Sequence, residues 1–179
     1  MLINGGSGLC SFLVSNFNCN ATYTDIGDDN LFRFNLTDYI NPMQTITIAG
    51  PNINKDNITV SYVLGNNQNI NRIGNSKLPL GVYVNDTSKG TSVGSGISGI
   101  ANITFNVTAN GMNYVMAGSN TTANGNVTFY FDSDCNYNVG KQYWLAYYNN
   151  TQGPNECYNF NQTDNSYNIT IYGQLMNNI

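Results

Sequence analysis

The chain has no histidine and a single glutamate, Glu156, among its 179 residues. Histidine is the side chain that changes charge near neutral pH and the commonest metal ligand. Its absence removes histidine-based triads, ordinary zinc centres and most general-base schemes, so no catalytic set is expected and an enzyme is not. Charge of either sign is scarce, at 9% of residues. The six basic residues, Arg33, Lys55, Arg72, Lys77, Lys89 and Lys141, are scattered. Nothing therefore tracks a phosphate backbone, and nucleic acid is not an expected partner. No apolar run reaches membrane-spanning length. Met1-Leu2-Ile3 runs directly into Asn4-Gly5-Gly6-Ser7-Gly8, with no basic n-region and no apolar h-region of a leader. A type IV pilin or archaeal flagellin would open with a long apolar helix, and this chain does not. Helical periodicity is missing throughout, and Leu and Ala are few.

What fills the chain instead is asparagine, threonine and tyrosine, at 34, 16 and 13 copies. Eleven of the 16 threonines lie two residues after an asparagine, and no serine does. Random placement would give about three such triplets from this composition, whereas N-x-T is the acceptor signature for N-glycosylation. The acceptors are Asn20, Asn35, Asn57, Asn85, Asn102, Asn106, Asn120, Asn126, Asn149, Asn161 and Asn168. The pattern is clearest in Asn102-Ile103-Thr104-Phe105-Asn106-Val107-Thr108, which holds two motifs and alternates with period two. Ile103, Phe105 and Val107 would face a core, and the asparagines and threonines solvent. Covalent N-glycans are expected, with no other cofactor. Glycosylation requires export, so an extracellular location with a leader removed is expected too.

Strands are expected over 9–15, 31–40, 45–48, 57–64, 78–84, 100–108, 112–117, 126–131, 142–148 and 167–176, where Thr, Tyr, Val and Ile dominate. Pro79 marks an edge strand or a strand start. Residues 65–77, 87–99 and 149–166 read as loops. Asn110-Gly111 is a type I′ hairpin signal. This spacing predicts an all-β fold: an antiparallel β-sandwich, immunoglobulin-like or pilin-like. Residues 1–20 read as an N-terminal tail and 21–179 as the sandwich domain.

Four cysteines, Cys10, Cys19, Cys135 and Cys157, allow three pairings, of which the local ones, Cys10–Cys19 and Cys135–Cys157, are favoured. Asp132-Ser133-Asp134-Cys135-Asn136-Tyr137-Asn138 has alternate oxygen ligands like the start of a calcium loop, but lacks the glycine at the sixth position and the late glutamate. A polar turn is the preferred reading there, and solvated capping for Asp25, Asp28 and Asp29. No metal site is assigned. Tyr143, Trp144, Tyr147 and Tyr148 form an aromatic run that serves either as core plus interface or as a sugar-stacking surface.

Export, a sugar coat and a sandwich without a catalytic set suit a surface assembly. A Gly-rich start ahead of the apolar segment 9–15 suits strand addition, in which one subunit's tail pairs with the next. The same segment also reads as the first strand of its own domain, and the C-terminal strand from Asn168 to Met176 is an alternative donor. The Asn-, Thr- and Tyr-rich composition, dense N-x-T motifs, scarce charge and absent pilin helix resemble the thread filament subunits of Sulfolobales archaea. The resemblance implies a glycosylated head-to-tail homopolymer joined by donor-strand complementation, with Leu9, Phe12, Leu13 and Val14 in the donated strand. It implies a role in adhesion or cell–cell contact, with surface glycans as further partners. Alternatives are a secreted carbohydrate-binding or adhesive module, a virion or S-layer coat protein, and a hydrolase using aspartate pairs.

Overall fold

The computed structural model describes residues 31–36, 44–50, 54–95, 100–148 and 158–173. The tail at 1–20, with Leu9, Cys10, Phe12, Leu13, Val14, Cys19 and Asn20, lies outside them, as do Asn149 and Cys157. Every regular element among the described residues is a β-strand. Strands β1 (Leu31–Leu36) and β2 (Gln44–Ala49) pair antiparallel, with Asn35 opposite Thr45.

Two sheets carry the remainder. The larger runs in the order β4 (Gln68–Asn71), β12 (Tyr167–Tyr172), β10 (Gly140–Tyr148), β7 (Asn102–Thr108) and β8 (Tyr114–Thr121). The short β11 (Asn161–Gln162) continues the β12 side of β10 at Tyr147 and Tyr148. In the smaller sheet β5 (Leu78–Asp86) is central. It has β3 (Ile58–Leu64) on one side, and β9 (Asn126–Phe131) and β6 (Thr91–Ser92) end to end on the other.

The sheets form a β-sandwich because their strands alternate. Ile103, Phe105 and Val107 are fully buried on β7, as the period-two pattern requires. Ile169 and Ile171 on β12 do the same, as do Leu80, Val82 and Val84 on β5. Each such side chain contributes about 1.5–3 kcal/mol by leaving water. Aromatic rings join the layers: Phe105 stacks on Phe129 at 5.5 Å, and Tyr62 meets Trp144 at 6.2 Å. Trp144 is wholly buried, and its indole N–H donates to the Gly65 carbonyl at 2.9 Å, which satisfies the one polar atom it carries inward. Gly65 has φ +104°, and a Cβ there would lie 2.8 Å from a Leu80 methyl, so only glycine presents that carbonyl without strain.

Three expectations are corrected. Residues 65–77 contain β4, which lies parallel to β12, so the larger sheet is mixed and not purely antiparallel. Strands brought together from distant parts of the chain are free of the hairpin constraint that enforces antiparallel pairing. Pro79 is the second residue of the central β5, which bears out the strand-start alternative. Residues 109–113 form a five-residue loop instead of a two-residue turn. There Asn110 Oδ1 accepts from the Met112 and Asn113 amides at 3.1 and 2.8 Å, and only Gly111 has positive φ. The two-residue hairpin is Asn124-Gly125, with φ of 49° and 80° and reciprocal Ala123–Asn126 backbone bonds of 3.0 Å.

Candidate functional site

The feature that sequence reasoning singles out is the set of N-x-T motifs, and the register of the sheets decides what each one presents. On the outer face of the larger sheet, β7 carries Asn102, which is exposed, and Asn106, which is half-buried. Asn106 stands opposite Leu145 on β10 and Met116 on β8, and its Oδ1 is buried without a hydrogen-bond partner. Asn168 on β12 stands opposite Tyr143. Its Nδ2 donates to Asn66 Oδ1 at 3.3 Å, and its backbone amide donates to the same oxygen at 3.0 Å. The outer face of the smaller sheet carries Asn85, half-buried opposite Thr59, and Asn126, exposed opposite Tyr83. Asn57 is exposed just before β3.

Two acceptors serve the frame. Asn120 Nδ2 donates to the Thr128 carbonyl at 2.8 Å and so ties β8 to β9 across the open side of the sandwich. Asn161 Oδ1 accepts from the Val60 amide at 3.0 Å and caps the outer edge of β3. Both are half of a backbone-mimicking bond that an edge strand otherwise lacks.

The threonines divide as well. Thr59 and Thr87 are exposed, and Thr104, Thr128 and Thr170 are half-buried. Thr108, Thr122 and Thr163 are buried, with their hydroxyls engaged. Thr108 Oγ1 donates to Gln142 Oε1 at 2.9 Å and accepts from the Tyr143 amide at 2.8 Å. Thr122 Oγ1 accepts from the Ala101 amide at 3.0 Å, and Thr163 Oγ1 donates to the Asn165 carbonyl at 3.0 Å. The node around Gln142 escapes sequence reasoning. Its Oε1 also accepts from the Gly111 amide at 2.7 Å, and its Nε2 donates to the Asn138 carbonyl at 2.8 Å. The signal was there: a glutamine in the inward register of an aromatic strand must have buried partners.

The aromatic run on β10 is not one cluster. Trp144 and Tyr148 point into the core, and Tyr143 and Tyr147 point outward, half-buried. Lys141 Nζ lies 5.7 Å from the centroid of Tyr143, and Tyr147 lies 6.1 Å from Phe160.

The charged groups are used locally. Asp134 accepts from the backbone and side-chain amides of Asn136, at 2.9 and 2.8 Å, as a polar turn. Cys135 follows it as an exposed free thiol, and its expected partner Cys157 is not among the described residues. Asp25, Asp28 and Asp29 are likewise outside them. Among the described residues no three His, Cys, Asp or Glu side chains converge, and no helix is long and apolar enough to cross a membrane. Lys89 bridges Asp56 at 2.5 Å and the buried Asp86 at 3.2 Å. Burial raises the Asp56 carboxyl, but bonds from Lys89 and Ser88 and the Lys89 charge outweigh it and leave the pKa below its ordinary value. Burial lowers Lys89, and its two carboxylate partners outweigh that and hold it above.

These groups can carry sugars on amide nitrogens and can pack or hydrogen-bond a polar partner. No protein-family model matches the chain, and no curated protein matches it.

Proposed function

We propose that the chain is a structural subunit of an extracellular, N-glycosylated filament built by strand addition between copies, serving adhesion or contact between cells. The observation that carries this reading is the distribution of acceptor asparagines over the outer faces of both sheets, at Asn85 and Asn126 on one and at Asn102, Asn106 and Asn168 on the other. A face covered by sugar is closed to protein contact, which leaves the sheet edges for assembly. Among the described residues strand β8 is such an edge. Its half from Tyr114 to Ala117 has no charge and no acceptor motif, and Tyr114, Val115 and Met116 are exposed. An unprotected apolar edge is a template for an added strand. Contact of this kind is heterologous and propagates instead of closing.

The donated strand in this reading is 9–15, with Leu9, Phe12, Leu13 and Val14 as its apolar contacts; the C-terminal strand is the alternative donor. Electron cryo-microscopy of the native material tests it. Filaments with branched density at Asn57, Asn102 and Asn126 are expected, and deletion of residues 1–15 is expected to leave monomers. Dispersed monomers with bare asparagines would refute the proposal. A secreted sugar-binding module is the second reading, favoured by the outward Tyr143 and Tyr147, and a monomer retained on a glycan array would select it.

A further inference from the structure

Among the described residues, the outer face of the larger sheet holds a half-buried apolar stripe: Tyr143, Leu145 and Tyr147 on β10, with Met116 beside it at 64% exposure. Outward positions on the middle strand of a sandwich are ordinarily polar. Here they lie between two strands that carry acceptor asparagines. The register sets Tyr143 directly opposite Asn168 and Leu145 directly opposite Asn106. Directly opposed residues have Cβ atoms about 4.5–5.5 Å apart, and long side chains on them touch. The acceptor asparagines thus border the stripe on both sides.

We infer that this stripe is a platform for the chain's own glycans, on which the first sugar at Asn168 lies against Tyr143 and the first sugar at Asn106 against Leu145 and Met116. A pyranose ring has a C–H face and a hydroxyl edge. The C–H face covers an aromatic or aliphatic side chain as any apolar group does, and the hydroxyls stay in water. Two further observations fit this occupant. Asn106 Oδ1 is buried in the stripe with no donor, and the first sugar brings hydroxyl donors to that place. Asn168 Nδ2 has two hydrogens and uses one bond, to Asn66; a glycosylated amide keeps one hydrogen, so sugar and bond coexist.

The inference rests on the glycosylation reading above and separates from it experimentally. The full chain would be produced in an exporting, glycosylating host in four forms: unchanged, Thr170→Ala, Tyr143→Ser, and both together. Thr170→Ala removes the motif and leaves Asn168 and its bonds to Asn66 in place; Thr170→Ser, which restores the motif, is the control. Occupancy of Asn168 is read by glycopeptide mass spectrometry and stability by melting midpoint. With Tyr143 present, Thr170→Ala is expected to lower the midpoint by about 2–4 °C. With Tyr143→Ser it is expected to change nothing. In the unchanged protein the first-sugar protons at Asn168 should show ring-current shifts in NMR spectra. An occupied Asn168 with additive effects and unshifted sugar protons would overturn the platform while leaving glycosylation intact. A bare Asn168 beside occupied motifs elsewhere would overturn the platform alone, and a chain bare at every motif would overturn both.

Discussion

Strand β7 carries the same motif twice, and the two copies end differently. Asn102-Ile103-Thr104 and Asn106-Val107-Thr108 share spacing, strand and an inward apolar centre. Thr104 keeps its hydroxyl near water, opposite Ser119 and Tyr147. Thr108 is 1% exposed. The paired register between β7 and β10 ends at Val107 and Trp144, so the next amide, that of Tyr143, has no backbone carbonyl in register. The Thr108 hydroxyl accepts from it and passes its own hydrogen to Gln142. One threonine completes an acceptor motif at a surface, and the other also closes the end of a sheet.

The largest expected effect falls on what both copies stand upon. Trp144→Ala removes the side chain opposite Val107 and orphans the Gly65 carbonyl, and a loss of about 3–5 kcal/mol is expected in denaturant unfolding. A loss near 1 kcal/mol would mean that the sheets do not depend on this ring. The next effect separates the two threonines. Thr108→Val and Thr104→Val each delete one motif and conserve shape. Thr108→Val leaves the Tyr143 amide buried without an acceptor, at a cost of about 1–3 kcal/mol. Thr104→Val should stay within about 0.5 kcal/mol. Equal costs would erase the distinction. The same contrast sets the order of sugar transfer. An oligosaccharyltransferase given the folded chain is expected to modify Asn106, Asn120 and Asn161 least, since the hydroxyls of Thr108, Thr122 and Thr163 are buried and bonded, so sugars at these sites are added before the sheets close. Peptides spanning the same motifs should all be modified. Equal transfer to these three sites before and after unfolding would break the argument.

The inward face of β7 was legible because side-chain direction in a strand follows from position alone. The rest needed partners that lie far away in sequence. Gln68-Asn69-Ile70-Asn71 has one apolar residue, and only its parallel register with β12 makes it a strand. Asn110-Gly111 and Asn124-Gly125 are the same dipeptide. The first is drawn into a longer loop by the Asn110 side chain and by the bond from the Gly111 amide to Gln142; the second forms the tight turn. The motifs themselves were plain in the sequence. Which of them face outward, which tie the edges and which face an apolar neighbour are facts of register, and register belongs to two strands together.

The smallest expected effect concerns a place where the chain sets opposite charges together. Asp56 is held below its ordinary pKa of 3.8, so its contribution is fully present above that value and is lost as pH falls through the folded-state pKa. Lys89 is held above its ordinary 10.5, so its share is fully present below that value and is lost as pH rises through the folded-state pKa. The pair thus favours the folded state between these limits. Its side chains remain about a third exposed, at 34% for Lys89 and 28% for Asp56, and solvent screens the attraction. A net worth of about 0–1 kcal/mol is therefore expected. Asp56→Asn tests this more cleanly than a change at Lys89, which would also strip a partner from buried Asp86. The difference in urea midpoint between the unchanged chain and Asp56→Asn should be small at pH 7 and vanish as pH falls through the folded-state pKa, which lies below 3.8. A difference that stays constant into acid would assign the effect to the shape of the Asp56 side chain and not to its charge.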